Sequence, residues 1–110
     1  MEVIHKIGRR KKSVARVFMS EGKGNITVNK KSFSDFFDTA ILQYKIQQPF
    51  NLTETKDKFD LLVTVKGGGI NGQAEAIRQA ISRALVEFNE EFKPVLKSEG
   101  LMTRDPRMVE

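Results

Sequence analysis

Hydrophobic residues follow two different periods along this chain, and the places where the period changes mark its elements. Val3-Ile4 and Ile7 precede Gly8-Arg-Arg-Lys-Lys12, and Val14-Ala-Arg-Val-Phe18 follows, which predicts two extended pieces around a basic turn. In the second piece Val14, Arg16 and Phe18 share one face while Ala15, Val17 and Met19 share the other. Both faces are substantially apolar, so a central place in a sheet is expected. Ser20-Glu-Gly-Lys-Gly24 has turn composition, and Asn25-Ile-Thr-Val28 alternates like a short strand returning from it, which predicts a hairpin. Phe59, Leu61, Val63 and Val65 alternate with Asp60, Leu62, Thr64 and Lys66, the pattern of a half-buried strand.

Two stretches carry the helical period instead. Ser32 stands three residues before Asp35 and just ahead of Phe36 and Phe37, the spacing of an N-cap whose hydroxyl satisfies the first free amides. Phe33, Phe36, Phe37, Ala40, Ile41 and Tyr44 continue at helical steps, with a break near Asp38-Thr39, and Pro49 is expected to end the segment. Gly67-Gly-Gly69 closes the strand that begins at Phe59. From Ile70 onward Ile70, Ala74, Ile77, Ile81, Leu85, Phe88 and Phe92 recur at three- and four-residue steps, which predicts a long helix ended by Pro94. Pro94–Gly100 has Pro at its start and Gly at its end, as one further helical turn would. Leu101–Glu110 has no clear period.

Composition narrows the class. The 110 residues suffice for one domain, assigned to residues 1–99, with 100–110 as an extended C-terminal segment. A chain of this size buries about two-thirds of its unfolded surface, enough for one core. There is no cysteine, so disulfides and thiolate metal sites are excluded, and the longest apolar runs are three residues, such as Leu61–Val63. A cytoplasmic protein with no membrane partner is the expectation.

The net charge of +5 is unevenly placed. Residues 1–31 hold nine Lys/Arg against Glu2 and Glu21, a balance of +7, while the other 79 residues hold ten basic and twelve acidic side chains, a balance of −2. Positive charge concentrated at one end is the footprint of a polyanionic partner. Arg9, Arg10, Lys11, Lys12 and Arg16 are the candidate phosphate contacts. If five or six such groups met phosphates, affinity would fall by roughly 10²–10³ between about 50 and 200 mM salt. The alternative is a solvated charge run.

Gly67-Gly68-Gly69-Ile70-Asn71-Gly72 matches G-x-G-x-x-G between a predicted strand and a predicted helix. A dinucleotide fold requires an acidic residue on a second strand about 20 residues on, where the long helix still runs here. No Gly-Lys-Ser/Thr follows, which argues against a P-loop more strongly still. Local physics still offers a phosphate seat, because free amides at a helix start carry the positive end of its dipole. The competing reading is that the glycines make a tight turn and permit close packing.

Catalytic chemistry has little support: His5 is the one histidine and reads as a strand side chain, while Asp35 and Asp38 read as capping and solvation. No cofactor or metal is implied. Phe33, Phe36 and Phe37 suit a core better than base stacking. Asn25-Ile-Thr27 and Asn51-Leu-Thr53 match N-x-T, which matters only in a secreted protein.

Three segments together resemble the family of universal small-subunit ribosomal protein nine in its bacterial form: Gly8–Val17, the nineteen positions Gly67–Leu85, and Leu101–Glu110. The resemblance implies an α/β (α+β) two-layer sandwich, a mixed four-stranded sheet with helices on one face, like the second domain of ribosomal protein five with its left-handed βαβ crossover. It implies a structural role: binding ribosomal RNA in the head of the small subunit and supporting its assembly, beside neighbouring ribosomal proteins. Carried over by position, Arg9, Arg10, Lys11, Lys12 and Arg16 would meet RNA phosphates, as would Gly67, Gly68, Gly69 and Asn71 with Gln73 and Arg78. Arg104 and Arg107 would begin a stretch lying along RNA. Family members continue into a basic tail that reaches the peptidyl-site tRNA, and this chain ends before it. From another class, a small phosphate- or nucleotide-binding enzyme built on Gly67–Gly72 is the alternative.

Overall fold

The computed structural model describes residues 3–101. Seven residues, Ile4–Arg10, form β1, which turns at Lys11-Lys12 into β2, Ser13–Glu21. The two strands pair antiparallel, with Gly8 opposite Ala15 and Arg9 opposite Val14. β3 is Ile26–Val28, and β4 is the two-residue Lys31–Ser32. Helices α1, Phe33–Phe36, and α2, Ala40–Thr53, lead to β5, Phe59–Lys66. The long helix α3, Ile70–Phe88, follows, and a 3-10 turn at Glu90–Phe92 passes into α4, Lys93–Ser98.

The sheet order is β1-β2-β5-β3-β4, with β5 antiparallel to β2 and parallel to β3. The expected mixed sheet is therefore present, but with five strands, because Lys31-Ser32 pairs with Thr27-Val28 as a short outer strand. The expected hairpin of residues 14–19 with 25–28 does not form: β5 lies between them. Asp60 explains the separation. Its carboxylate Oδ1 accepts the backbone N–H groups of Lys23, Gly24 and Asn25 at 3.0, 3.2 and 3.0 Å, so the glycine-rich loop wraps around the start of β5. Asn29 then prolongs the β3–β5 ladder with its side chain, donating to Val65 O and accepting from Val65 N–H, both at 2.9 Å.

Strand alternation decides which face is covered. Ala15, Val17 and Met19 of β2 and Phe59, Leu61, Val63 and Val65 of β5 are buried beneath α3 and α2, while Arg16, Phe18, Leu62, Thr64 and Lys66 face outward and are exposed. The expected apolar stripe of α3 is buried at Ala74, Ile77, Ile81 and Leu85, whereas Ile70 and Phe88 at its two ends are exposed. A second stripe, Ala76, Ala80 and Ala84, is equally buried. These small residues let α3 lie on β1 so closely that a Cβ on Gly8 would sit 2.1 Å from Ala76 O. The helix also covers the free edge of β1. Gln79 Oε1 accepts the Arg9 N–H at 2.9 Å, and Arg83 donates to Ile7 O at 2.8 Å, which removes a template for strand addition.

Four other expectations are corrected. Ser32 precedes α1, but its hydroxyl meets Ser34 Oγ rather than a helix amide, and α1 lasts only four residues. Thr39 starts the main helix instead, accepting Leu42 N–H at 3.3 Å. That restart shifts the buried face to Leu42, Ile46, Pro49 and Phe50, leaving Ile41 and Tyr44 exposed. Pro49 does not end α2, which runs on to Thr53 and stops at Glu54 in the left-handed region. α3 ends at Phe88, before Pro94, because Asn89 is extended and its side chain accepts Glu91 N–H. Pro94 does open the last helix as expected, and Leu101 N–H returns to Leu96 O at 3.0 Å, so Leu101 is buried in the core.

Candidate nucleic-acid interface

Two turns distant in sequence meet at one corner of the sheet. Lys11 takes a left-handed φ of 55°, which folds the β1–β2 tip sharply and leaves Lys11 and Lys12 exposed. The turn between β5 and α3 packs directly against this tip. Ser13 Oγ donates to Gly67 O at 2.8 Å, and Gln73 Nε2 donates to the same carbonyl at 3.2 Å. Gly67 and Gly68 have φ of 84° and 64°, and Cβ atoms there would lie 2.2 Å from Lys12 O and 2.4 Å from Ser13 Oγ. These two glycines serve both left-handed backbone and close approach. Gly69 has no neighbour within 4 Å of such a Cβ, so its outer side is open.

Gly69 is also the N-cap of α3, and no side chain caps the helix. The first amides of a nineteen-residue helix thus open beside Lys11 and Lys12. The arrangement is electropositive from backbone dipole and side chains together, which is suited to phosphate oxygens.

The sequence-predicted residues that the structure describes fall into three groups. Lys11, Lys12, Gly67, Gly68, Gly69, Asn71 and Gln73 come together at the corner, with Asn71 exposed on the first turn of α3, while Arg9 lies on the open sheet face opposite Val14. Arg10, pointing to the opposite face from Arg9, donates through Nε to Glu75 Oε1 at 2.7 Å, and Lys45 of α2 holds Glu75 Oε2 at 2.9 Å. Partial burial pushes the Glu75 carboxyl up, but the Lys45 and Arg10 hydrogen bonds outweigh it and hold it below the usual glutamate range. Arg78 likewise turns inward to Gln48 Oε1 at 3.0 Å; burial lowers its pKa against the opposing pull of Glu75. Arg16 lies on the open sheet face, opposite Ile7 and Thr64. Arg104 and Arg107 fall outside the described residues.

Sequence reasoning missed Ser13 and Glu75. Ser13 is fully buried beside the glycine turn, and a small polar residue at a strand start carries no periodic signal. Glu75 sits between two apolar positions of α3 as any solvated helix acid would. Arg10 and Lys45, 65 and 30 residues away in sequence, give it its role.

The glycine motif does not lie in a dinucleotide-binding unit. After α3 the described chain continues into the 3-10 turn and α4, with no following strand to complete the βαβ unit.

Fold and corner together define a small α+β domain with one helix-covered sheet face and a cationic edge. The family profile described as ribosomal protein S9/S16 matches residues 8–110. The small ribosomal subunit protein uS9 of Christiangramia forsetii is 66% identical over 110 residues, spanning 100% of this chain and 86% of the relative. Those of Flavobacterium psychrophilum and Bacteroides fragilis are 58% and 54% identical over the same shares. The chain belongs to the ribosomal protein S9/S16 family.

Proposed function

We propose that the protein is a structural, non-enzymatic constituent of the small ribosomal subunit, working in the cytoplasm, that binds ribosomal RNA through the corner where the β1–β2 tip meets the start of α3. The Ser13–Gly67 hydrogen bond is the observation that carries the reading, because it fixes Lys11 and Lys12 beside the uncapped amides of α3. Backbone amides and lysines at a corner position phosphates without reading bases, which suits a protein that recognises folded RNA by shape. The family resemblance supports the subunit head as the location, with neighbouring ribosomal proteins as further partners.

Charge reversal tests the reading. Lys11→Glu with Lys12→Glu should weaken binding to a head-domain ribosomal RNA fragment in filter-binding titrations and flatten its salt dependence. Affinity and salt dependence equal to the parent protein's would overturn it.

A further inference from the structure

The sheet face opposite the helices carries an ordered pattern that the corner does not use. Strand registers lay its side chains in rows: Arg9, Val14 and Lys66; then Ile7, Arg16 and Thr64; then His5, Phe18, Leu62 and Thr27. Val3 lies near the far end, beside Ser20 and Asp60. The cations Arg9, Arg16 and Lys66 lie in the two rows nearest the corner, with Val14 and Ile7 among them, and the exposed apolar groups Phe18, Leu62 and Val3 lie beyond, next to Asp60.

Both halves lack partners within the described chain. Val3, Phe18 and Leu62 are 60%, 37% and 57% exposed, on a face that an antiparallel sheet ordinarily leaves polar. They border an open groove of about 440 Å³ over Thr27 and Asp60. His5 and Phe18 stand ring to ring, centroids 4.3 Å apart and planes 5° from parallel. β1 is the outer strand, so the far face of the His5 ring looks off the sheet edge. Among the described residues no carboxylate pairs with Arg9, Arg16 or Lys66. Asp60, the acid on this face, already accepts three backbone amides.

We infer that this face binds single-stranded RNA, with unpaired bases extending the His5–Phe18 stack and covering Leu62 while Arg16, Arg9 and Lys66 take the adjoining phosphates. The inference rests on the RNA-binding reading and extends it from the corner to the sheet. Charge decides the occupant: an apolar protein segment would cover Phe18 and Leu62 but strand three cations without counter-charge. A duplex would meet the cations but keeps its base faces stacked inside. An unpaired strand supplies base planes and phosphates together, and Arg16 and Phe18 are two residues apart on one strand, about 7 Å, close enough for one nucleotide to engage both.

The test uses a labelled single-stranded oligoribonucleotide and a duplex of equal length in fluorescence anisotropy, with circular dichroism of every variant to verify folding. His5→Ala and Phe18→Ala should each weaken single-strand binding about tenfold with an unchanged salt slope, and leave the duplex unaffected. Arg16→Gln with Lys66→Gln should reduce the salt slope. Folded variants that bind the single strand as tightly as the parent would overturn the inference. Loss confined to Lys11→Glu/Lys12→Glu would do so while leaving the corner reading intact, and loss in neither set would remove both. In intact small subunits, a photocrosslinking residue replacing Leu62 should label RNA. Labelling of a protein, or no labelling, would sink the proposal.

Discussion

Ser13 Oγ donates a 2.8 Å hydrogen bond to the carbonyl of Gly67, joining two turns that lie 54 residues apart in sequence. Ser13 is fully buried, so Ser13→Ala leaves that carbonyl with only the weaker Gln73 contact and should cost about 1 kcal/mol. Gly67→Ala should cost more, because a left-handed alanine adds about 1–2 kcal/mol and its Cβ would collide with Lys12 O. Urea unfolding measures both. If the corner binds RNA, both variants should also lose affinity beyond what the fraction unfolded explains.

The seat of α3 on β1 is equally demanding. A Gly8→Ala methyl would lie 2.1 Å from Ala76 O and 2.7 Å from Ala80 N, backbone atoms that can yield only by moving the helix. Overpacking of about 1–3 kcal/mol or more is expected, as a lowered denaturation midpoint. Gln79→Ala should cost a comparable ~1–3 kcal/mol by orphaning the Arg9 N–H, and hydrogen exchange at that amide should accelerate.

These two contacts also mark where the sequence could be read and where it could not. Alternation exposed β5 at once, because Phe59, Leu61, Val63 and Val65 face a core and Leu62, Thr64 and Lys66 do not. The helical period likewise located α3 from Ile70. Strand order was beyond such patterns: Asn25–Val28 has the same period whether it pairs with β2 or with β5, and the Asp60 carboxylate that favours β5 lies 35 residues away from Asn25. The alanine stripe of α3 gives a weak hydrophobic signal, although it decides how near the helix comes. At the corner, Lys11, Lys12 and the glycines were visible as local motifs, but their meeting depends on Ser13. Arg10 and Arg78 looked like their neighbours until Glu75 and Gln48 claimed them.

Acid should loosen the fold through Glu75. Its folded-state pKa lies below the ordinary value of 4.5, so the stabilisation is fully present above that value and is lost as pH falls through the lower, folded one. Stability measured from pH 6 down to pH 2 should fall on the acid side, and Glu75→Gln should flatten that limb while lowering stability at pH 7. Asp60 acts in the same direction: the Asn25 and Lys23 amides, then that of Gly24, lower its pKa against burial. Asp60→Asn should flatten the limb further and speed exchange at residues 23–25. A Glu75→Gln profile parallel to the parent's would show that the Arg10–Glu75–Lys45 network is not titrating.

Adjacent cations of the basic turn should respond differently to neutralisation, and salt separates them. Lys11 and Lys12 are exposed at the tip, so Lys11→Gln and Lys12→Gln should each reduce the slope of log affinity against log salt by roughly 0.7–0.9 if the side chain meets a phosphate. Stability should stay within about 0.5 kcal/mol, as for other surface changes. Arg10 is turned toward α3 and hydrogen-bonded to Glu75, so Arg10→Gln should lower stability and raise the Glu75 pKa. Its effect on the salt slope should be smaller than that of either lysine. Equal slope changes at Arg10, Lys11 and Lys12, with equal stabilities, would mean that all three side chains face the RNA and that the Arg10–Glu75 pair opens when RNA binds.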